Sequence, residues 1–232
     1  LALLLSDQCV HTIKTAVFEG KNQNIFKDRK EFTGSLFAQM EAVYDYIDFR
    51  NQTHSTFEKL YRIDNRDYPE VAVREALLNC LVHRDYGYSS SILISMYEDR
   101  LEFTSIGGLV TGVTLEDVMM GISVCRNKRL ANVFYRLELI EAYGTGIQKI
   151  MNAYQFIKPD IKVSNNVFKI ILPNTNAQAE LREELQYHTH IQPEDEETQI
   201  MQMIDQEKRI QRKQVQERLG ISQTTSGRIL KQ

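Results

Sequence analysis

The spacing of apolar positions changes several times along the chain. After Pro69, apolar residues between positions 71 and 82 cover most of a helical circumference, and this stretch contains no glycine or proline. The pattern predicts a largely buried helix with Pro69 at its first position. Between positions 35 and 50, apolar residues recur at helical spacing after a Gly34 break, which predicts an amphipathic helix.

Other segments carry strand patterns or short helical patterns. Runs rich in branched and aromatic residues predict a strand at 12–18, a hairpin formed by 91–97 and 100–104, and a strand at 167–172. Short helices are predicted at 114–121, 127–139 and 147–154, and a polar turn at 64–67. The combination indicates an α+β domain with a sheet layer and a helix layer.

The last fifth of the chain follows a different pattern. Residues 174–197 are polar and acidic, as is typical of a linker, and the helical pattern restarts at 197. A turn at Gly220 and a helix over 223–230 predict a helix-turn-helix in a locally basic segment. A small helical dimerisation or docking module is the alternative. The residues expected to face DNA are Arg212, Lys213, Gln223, Thr224, Thr225, Ser226 and Arg228.

Bulk composition narrows the classes of protein. A hydrophobic fraction of 42% is ordinary for a soluble globular protein, and a net charge of -3 provides no overall attraction to nucleic acid or membranes. Three isolated cysteines indicate reduced thiols and predict a cytoplasmic protein. No segment approaches the roughly 20 apolar residues that cross a bilayer. The first residue is not Met, so we expect the chain to be a fragment of a longer protein.

One polar strip interrupts the apolar surface of the central helix. Glu75, Asn79 and His83 are spaced i, i+4 and i+8, so they share one face. A buried carboxylate and amide need partners, since an unsatisfied polar group costs about 1–3 kcal/mol. The strip either braces neighbouring backbone or faces a pocket, where an amide oxygen could hold a divalent cation and a carboxylate could activate water. Spacing alone favours neither interpretation.

Two glycine segments are further candidates. Gly107-Gly108 ends the second strand of the predicted hairpin, where a simple turn is the commoner explanation. Gly144-Thr145-Gly146 opens a predicted helix, and glycines at a helix N-terminus expose N–H groups to anions. Basic residues at 126–129 could contact phosphates, although a solvated surface is the commoner explanation for such a cluster.

These motifs together resemble a known family. Glu75-x-x-x-Asn79 on a buried helix is similar to the N-box of the GHKL ATP-binding fold, and the string from Glu75 to Tyr86 is closest to the GHKL-like domain of proteins called "ATP-dependent DNA helicase RecG-related" or transcriptional regulators. In that family a Schlafen/AlbA-type domain precedes the GHKL-like domain and a winged helix follows it.

The resemblance implies ATP and Mg²⁺ as cofactors and assigns a role to each motif. Asn79 would hold Mg²⁺ and Glu75 would act as general base. The residues expected to contact nucleotide are Asn79, His83, Gly107, Gly108, Gly144, Thr145 and Gly146. N-box, first glycine loop and second glycine box occur in the order that the family shows.

The chain departs from the family at the first glycine loop. Typical GHKL ATPases have an aspartate two residues before the first glycine, where its carboxylate reads the adenine amino group, and here that position is Ser105. The RecG-related branch usually has Asn-Pro-Gly-Gly-Leu, whereas this chain has Ser-Ile-Gly-Gly-Leu. A P-loop motif is also missing from the sequence, so a helicase motor is not expected in this chain.

The sequence therefore predicts four segments. These are a remnant of a Schlafen/AlbA-type domain at 1–33, a GHKL-like domain at 34–175, an acidic linker at 176–196 and a truncated winged helix at 197–232. The favoured function is a DNA-binding transcriptional regulator whose GHKL-like domain senses a nucleotide. The alternatives are a Mg²⁺-dependent ATPase acting with DNA, and a non-enzymatic dimerisation scaffold with a decayed pocket. A homodimer is a further expectation.

Overall fold

The computed structural model describes residues 1–141, 143–155 and 157–177, which belong to one compact unit, Leu1–Ala179. The predicted helix-turn-helix and its seven DNA-facing residues lie outside the described residues, as does the predicted linker after residue 177. These remain predictions.

A six-stranded mixed sheet forms one layer, with strand order β2-β1-β5-β6-β8-β7. β1 pairs with β5 in parallel, and the other neighbours are antiparallel. A separate two-stranded sheet pairs β3 with β4. The strands are β1 (Ile13–Phe18), β2 (Phe26–Phe32), β3 (Thr53–Glu58), β4 (Tyr61–Arg66), β5 (Ile92–Met96), β6 (Arg100–Ile106), β7 (Asp160–Val163) and β8 (Val167–Pro173).

Helices form the second layer, which confirms the predicted two-layer α+β arrangement. α1 packs against β1 and β2, while α2 contacts α1, α5, β6 and β8. The helices are α1 (Leu36–Arg50), α2 (Glu70–His83), α3 (Leu115–Met119), α4 (Lys128–Arg136) and α5 (Gly146–Asn152).

The central helix α2 is the most buried helix that the structure describes. Ala72, Ala76 and Leu81 are fully buried, and each fully buried leucine stabilises the fold by about 1.5–3 kcal/mol relative to exposure. The prediction was wrong for Val71, which is 50% exposed. It lies in the first turn of α2, before the neighbouring helices cover the circumference.

Local signals located the starts of α1 and α3, whereas Pro69, predicted at the first position of α2, is its N-cap and the helix begins at Glu70. The Ser35 hydroxyl accepts a hydrogen bond from the Ala38 N–H at the start of α1. Thr114 and Asp117 form a reciprocal capping box at the start of α3. α4 is shorter than predicted and ends at Arg136, because Glu138 has a positive φ of 58° that a helix cannot continue through.

Four strands of the described structure were not predicted from the sequence, namely β2, β3, β4 and β7. The polar turn predicted at 64–67 was wrong over most of its length, since β4 continues to Arg66. The β3–β4 hairpin is mostly polar and exposed, so it lacks the apolar alternation that marks a half-buried strand. β2 is likewise a charged edge strand, a composition that discourages pairing with other chains.

The first 33 residues contribute β1 and β2 to the same sheet as the later strands. Their origin in a Schlafen/AlbA-type domain stays a prediction. Within the described part of the chain, every helix is too short or too polar to cross a bilayer.

Candidate functional site

A cavity of about 410 Å³ lies between α2, the segment after β6, α4 and the start of α5. This volume falls within the range of small-molecule sites. Its lining includes all eight residues that the sequence predicted for a nucleotide site, namely Glu75, Asn79, His83, Gly107, Gly108, Gly144, Thr145 and Gly146. The structure thus brings the three motifs together around one space, while the chemical role of each residue stays a prediction.

The polar strip of α2 packs directly against the second glycine segment. A Cβ atom on Gly146 would lie 3.0 Å from Glu75 Oε2 and 3.3 Å from Asn79 Nδ2. Such contacts are tighter than a Cβ atom normally makes, so the Glu75 or Asn79 side chain would have to shift by a few tenths of an ångström if this residue were not glycine. Of the two interpretations of the strip, this placement favours the pocket-facing one.

Glu75 is nevertheless already engaged by cations. The Arg74 guanidinium donates to Glu75 Oε1 over 2.7 Å and to the Leu139 carbonyl over 2.6 Å. Lys149 Nζ lies 4.0 Å from the same carboxylate oxygen. Only 11% of the Glu75 side chain is exposed, so these contacts are partly shielded from water. Both contacts use Oε1, so they fix the orientation of the carboxylate, and Oε2 lies beside Gly146.

A second ion pair borders the Gly144–Gly146 segment. Lys149 Nζ lies 2.7 Å from Glu141 Oε1, and the Thr145 hydroxyl donates to Glu141 Oε2 over 3.0 Å. The hydrogen bond from Lys149, followed by the one from Thr145, lowers the pKa of the Glu141 carboxyl. Lys149 therefore stands between two carboxylates at the edge of the cavity, where an incoming anion could compete for it.

The first glycine loop is closed by backbone contacts. Gly107 has a φ of +114°, and its N–H donates to the Asn166 carbonyl over 2.8 Å. A Cβ atom on Gly108 would lie 2.4 Å from the Ser164 carbonyl oxygen. The fold therefore favours glycine at both positions: Gly107 because of its positive φ and the Asp85 backbone nitrogen 3.0 Å from a Cβ atom there, and Gly108 because the turn between β7 and β8 passes directly against it.

Arg126 ties this loop to the end of α2. Its Nη1 donates to Asp85 Oδ2 over 2.5 Å, and its Nη2 donates to the Gly108 carbonyl over 2.8 Å. The next residue, Asn127, donates through its side-chain amide to the Val82 and Arg84 carbonyls over 2.9 Å and 2.6 Å. These bonds satisfy carbonyls at the C-terminal end of α2, which would otherwise lack partners.

His83 occupies the part of the cavity near Arg126. Burial, and then the positive charge of Arg126, lower the pKa of the His83 imidazole below its usual value. The ring is therefore neutral at pH 7, with one nitrogen able to donate and the other able to accept.

Ser105, at the position of the usual base-reading aspartate, is 2% exposed and does not line the cavity. Burial raises the pKa of the nearby Cys80 thiol to about 12, and a hydrogen bond with Ser105 partly opposes that rise. The serine hydroxyl thus lies in the core beside α2. It does not replace the missing carboxylate at the cavity wall.

The structure adds lining residues that sequence reasoning did not select. Arg126 and Lys128, from the basic cluster interpreted as solvated surface, both line the cavity, while the exposed Arg129 does not. One face of α4 contributes Asn132 and Tyr135 as well, and α5 contributes Lys149. The spacing of Lys128, Asn132 and Tyr135 at i, i+4 and i+7 was the signal that could have identified this wall.

Among the described residues, side chains alone do not form a magnesium site. In the ranges described, no group of three or more His, Cys, Asp or Glu side chains could hold a metal ion. Mg²⁺ is often bound through few protein ligands together with substrate phosphates. The side-chain oxygen of Asn79 fits that role only if phosphate oxygens complete the coordination.

Comparison with known proteins supports the predicted type of domain. Residues 89–172 match the family described as "Putative ATP-dependent DNA helicase recG C-terminal". The match begins after α2, so the polar strip lies outside it. No curated protein matches the chain.

A solved structure shares the fold. The crystal structure of the DIP2311 protein from Corynebacterium diphtheriae aligns with a TM-score of 0.65 and 19% sequence identity, covering 94% of this chain and 46% of that one. The chain therefore spans about half the length of that protein. Together with the cavity geometry, the family match supports a GHKL-like, RecG-related ATPase-type domain within this chain.

Proposed function

We propose that the cavity binds a purine nucleoside triphosphate and that the protein is a DNA-binding regulator whose activity responds to this nucleotide. The observation that carries the proposal is the assembly of three sequence-distant motifs around one cavity of suitable volume. ATP is the nucleotide that the family resemblance implies.

The charges along the wall suit a phosphate chain. Lys128 and Lys149 line the cavity, and Lys128 forms no ion pair with any residue in the described ranges. Two lysines in a partly enclosed site attract phosphate more strongly than they would in open water. Asn79 would bind the Mg²⁺ that accompanies the phosphates, through its amide oxygen.

A nucleotide sensor fits the site better than a fast hydrolase. A general base takes a proton from water, whereas one of the two carboxylate oxygens of Glu75, Oε1, already accepts from Arg74 and is approached by Lys149. The position of Glu75 beside Asn79 and Gly146 still favours slow ATP hydrolysis as a second function, provided that nucleotide binding draws Lys149 away.

Nucleotide binding is tested by thermal unfolding of the whole chain with Mg²⁺ and millimolar ATP or GTP. A ligand at about 100 times its Kd stabilises the folded state by about 2.7 kcal/mol, equivalent to a rise of roughly 5–10 °C for a chain of this size. Asn79→Ala should abolish the shift.

The matched control is Asn152→Ala, which removes an exposed amide that does not line the cavity. It should keep the shift. If neither nucleotide raises the melting temperature of the unmutated protein, both the sensor and the ATPase are excluded and the dimerisation scaffold remains.

The DNA-binding part of the proposal rests on the basic segment at 197–232. Non-specific duplex binding with a Kd of about 10⁻⁴–10⁻⁶ M is expected at physiological salt. Arg228→Ala should weaken it and reduce the slope of log affinity against log salt by about 1, because one phosphate contact is lost.

Fluorescence anisotropy across a salt series measures both quantities. Arg136→Ala is the charge-matched control, since Arg136 is exposed at the end of α4, outside the basic segment. If the two substitutions changed DNA affinity equally, or if DNA affinity did not depend on salt concentration, the segment would instead be a protein-docking module.

A further inference from the structure

We propose that Arg126 reads the nucleobase and that the cavity selects a 6-oxopurine, as in guanine nucleotides, over adenine. This inference rests on the proposed nucleotide function and specifies its ligand. It comes from the hydrogen-bonding groups at the end of the cavity bordered by the first glycine loop.

The Gly108 carbonyl and the Asp85 carboxylate near this end are already engaged. The Gly108 carbonyl accepts from Arg126, and Asp85 uses Oδ2 for Arg126 and Oδ1 for the Gly87 N–H. Asp85 does not line the cavity, and neither does Ser105. The 6-amino group of adenine, which must donate, therefore meets no unengaged carboxylate from the described residues at this end.

Arg126, by contrast, has N–H donors that the contacts within the described structure do not use. A guanidinium carries five N–H groups, and Arg126 uses one on Nη1 for Asp85 and one on Nη2 for Gly108. Its Nε is buried without a partner within the described structure. One N–H on each terminal nitrogen is thus left, on a side chain that lines the cavity and is 28% exposed.

The ion pair with Asp85 and the hydrogen bond to the Gly108 carbonyl also fix the position of the Arg126 guanidinium. Arg126 is attached at once to the end of α2 and to the glycine loop, so it does not need to be ordered when a ligand binds. Arginine donating two bonds to O6 and N7 is the commonest specific contact with guanine, whereas adenine presents a donor in place of O6.

His83 complements the same base edge. It lines the cavity, and its neutral imidazole has one nitrogen that can accept a hydrogen bond. The N1–H of a 6-oxopurine can donate to it, while adenine has only an acceptor at N1. With O6 and N7 accepting from Arg126 and N1–H donating to His83, a 6-oxopurine satisfies all three groups, whereas adenine, whose 6-amino group could donate to His83, satisfies only one Arg126 donor, through N7.

Calorimetric titration of the whole chain with magnesium complexes of GTP, inosine triphosphate and ATP tests the inference. Inosine triphosphate keeps O6, N1–H and N7 but lacks the 2-amino group of guanine. We expect GTP and inosine triphosphate to bind with similar affinity, each about tenfold or more tighter than ATP.

Each alternative result has a distinct meaning. ATP binding as tightly as GTP would overturn the base assignment and leave the nucleotide proposal intact. Inosine triphosphate binding as weakly as ATP would overturn the role of Arg126, because selection would then depend on the 2-amino group. Absence of binding by all three would overturn the proposed function as well.

Substitutions locate the effect. Arg126→Met should bring GTP affinity down to that of ATP, whereas Arg129→Met, an exposed arginine outside the cavity, should keep the preference. Arg126→Lys retains a charge for Asp85 but not the two-pronged donor, so it should also lose the preference. If Arg126→Met does not fold, the nucleotide series on the unmutated protein still decides.

Discussion

The two ends of the cavity are built from different kinds of contact. Around Gly107 and Gly108 the wall is mostly backbone, with carbonyls and N–H groups paired within the fold and Arg126 fixed at two points. Around Thr145 and Gly146 the wall is made of side chains in ion pairs, with Lys149 shared between Glu141 and Glu75.

This difference suits one end of the cavity to recognising the shape of a ligand and the other end to binding its charge. A backbone wall cannot move without disturbing strand pairing, so it can discriminate between rigid bases. A half-exposed ion pair such as Lys149–Glu141 is worth only about 0.2–1 kcal/mol and can exchange partners when an anion arrives. The glycine-loop end is therefore suited to selectivity, and the Lys149 end to coupling with the phosphates.

The largest expected effect is on stability at the backbone end. In Gly108→Ala the new methyl group would lie 2.4 Å from the Ser164 carbonyl oxygen, so either the turn between β7 and β8 or the glycine loop must shift. Overpacking of this kind costs about 1–3 kcal/mol or more. Chemical denaturation should show this loss.

Gly87→Ala is its control, because that methyl group would meet only the Asp85 side chain, at 3.1 Å. It should change the free energy of unfolding by less than about 1 kcal/mol. A loss of stability as large as that of Gly108→Ala would show that the two glycine sites do not differ in rigidity.

At the charged end the expected effect is on affinity instead. Lys149→Met removes a cation that lines the cavity, so nucleoside triphosphate affinity should fall by about tenfold while stability changes by about 0.5 kcal/mol or less. Titration calorimetry and denaturation measure the two quantities. Lys162→Met, whose side chain is 67% exposed on β7, should leave both nearly unchanged.

The comparison of triphosphate with monophosphate sharpens this prediction. If Lys149 contacts the phosphate chain, its substitution should affect triphosphate binding more than monophosphate binding. Equal losses for both would place Lys149 near the base or sugar and contradict the division of the cavity proposed above.

The smallest expected effect concerns pH. The pKa of His83 is lowered in the folded protein, so the unfolded chain binds more protons below the ordinary histidine value of about 6.5. The folded protein therefore has its full stability above about pH 6.5, where the imidazole is neutral in both states. The free energy of unfolding decreases as the pH falls from that value through the pKa of His83 in the folded protein. His83→Gln should flatten the decline of melting temperature between about pH 6.5 and pH 5.

His11 has a pKa lowered by burial and by Arg84, so part of the decline should persist in this variant. The double substitution His83→Gln with His11→Gln provides the comparison. If the melting temperature of His83→Gln alone depended on pH as that of the unmutated protein does, His83 would not be desolvated as the structure indicates.

The amino-acid sequence by itself determined the elements whose signals are local. Helical periodicity identified α2 and its polar strip, the break at Gly34 located the start of α1, and the capping residue Thr114 located the start of α3. For the helices, neighbouring residues carry the information, because hydrogen bonds within a helix or a cap span only a few positions. The expectation that the two glycine segments and the strip form one site came from the family resemblance instead.

Only the tertiary structure showed the contacts between residues that are far apart in the sequence. Charged and polar strands such as β2 and β4 carry no apolar alternation, so only their pairing partners identify them. Arg84 would be expected at the surface, yet it is fully buried and contacts His11 Nδ1 over 3.1 Å. Arg126 changed from a surface cation to the proposed base-reading residue because Asp85 and Gly108, 41 and 18 positions away, meet it in space. Residue type predicts which groups need partners, but only the packed fold decides which partners they meet.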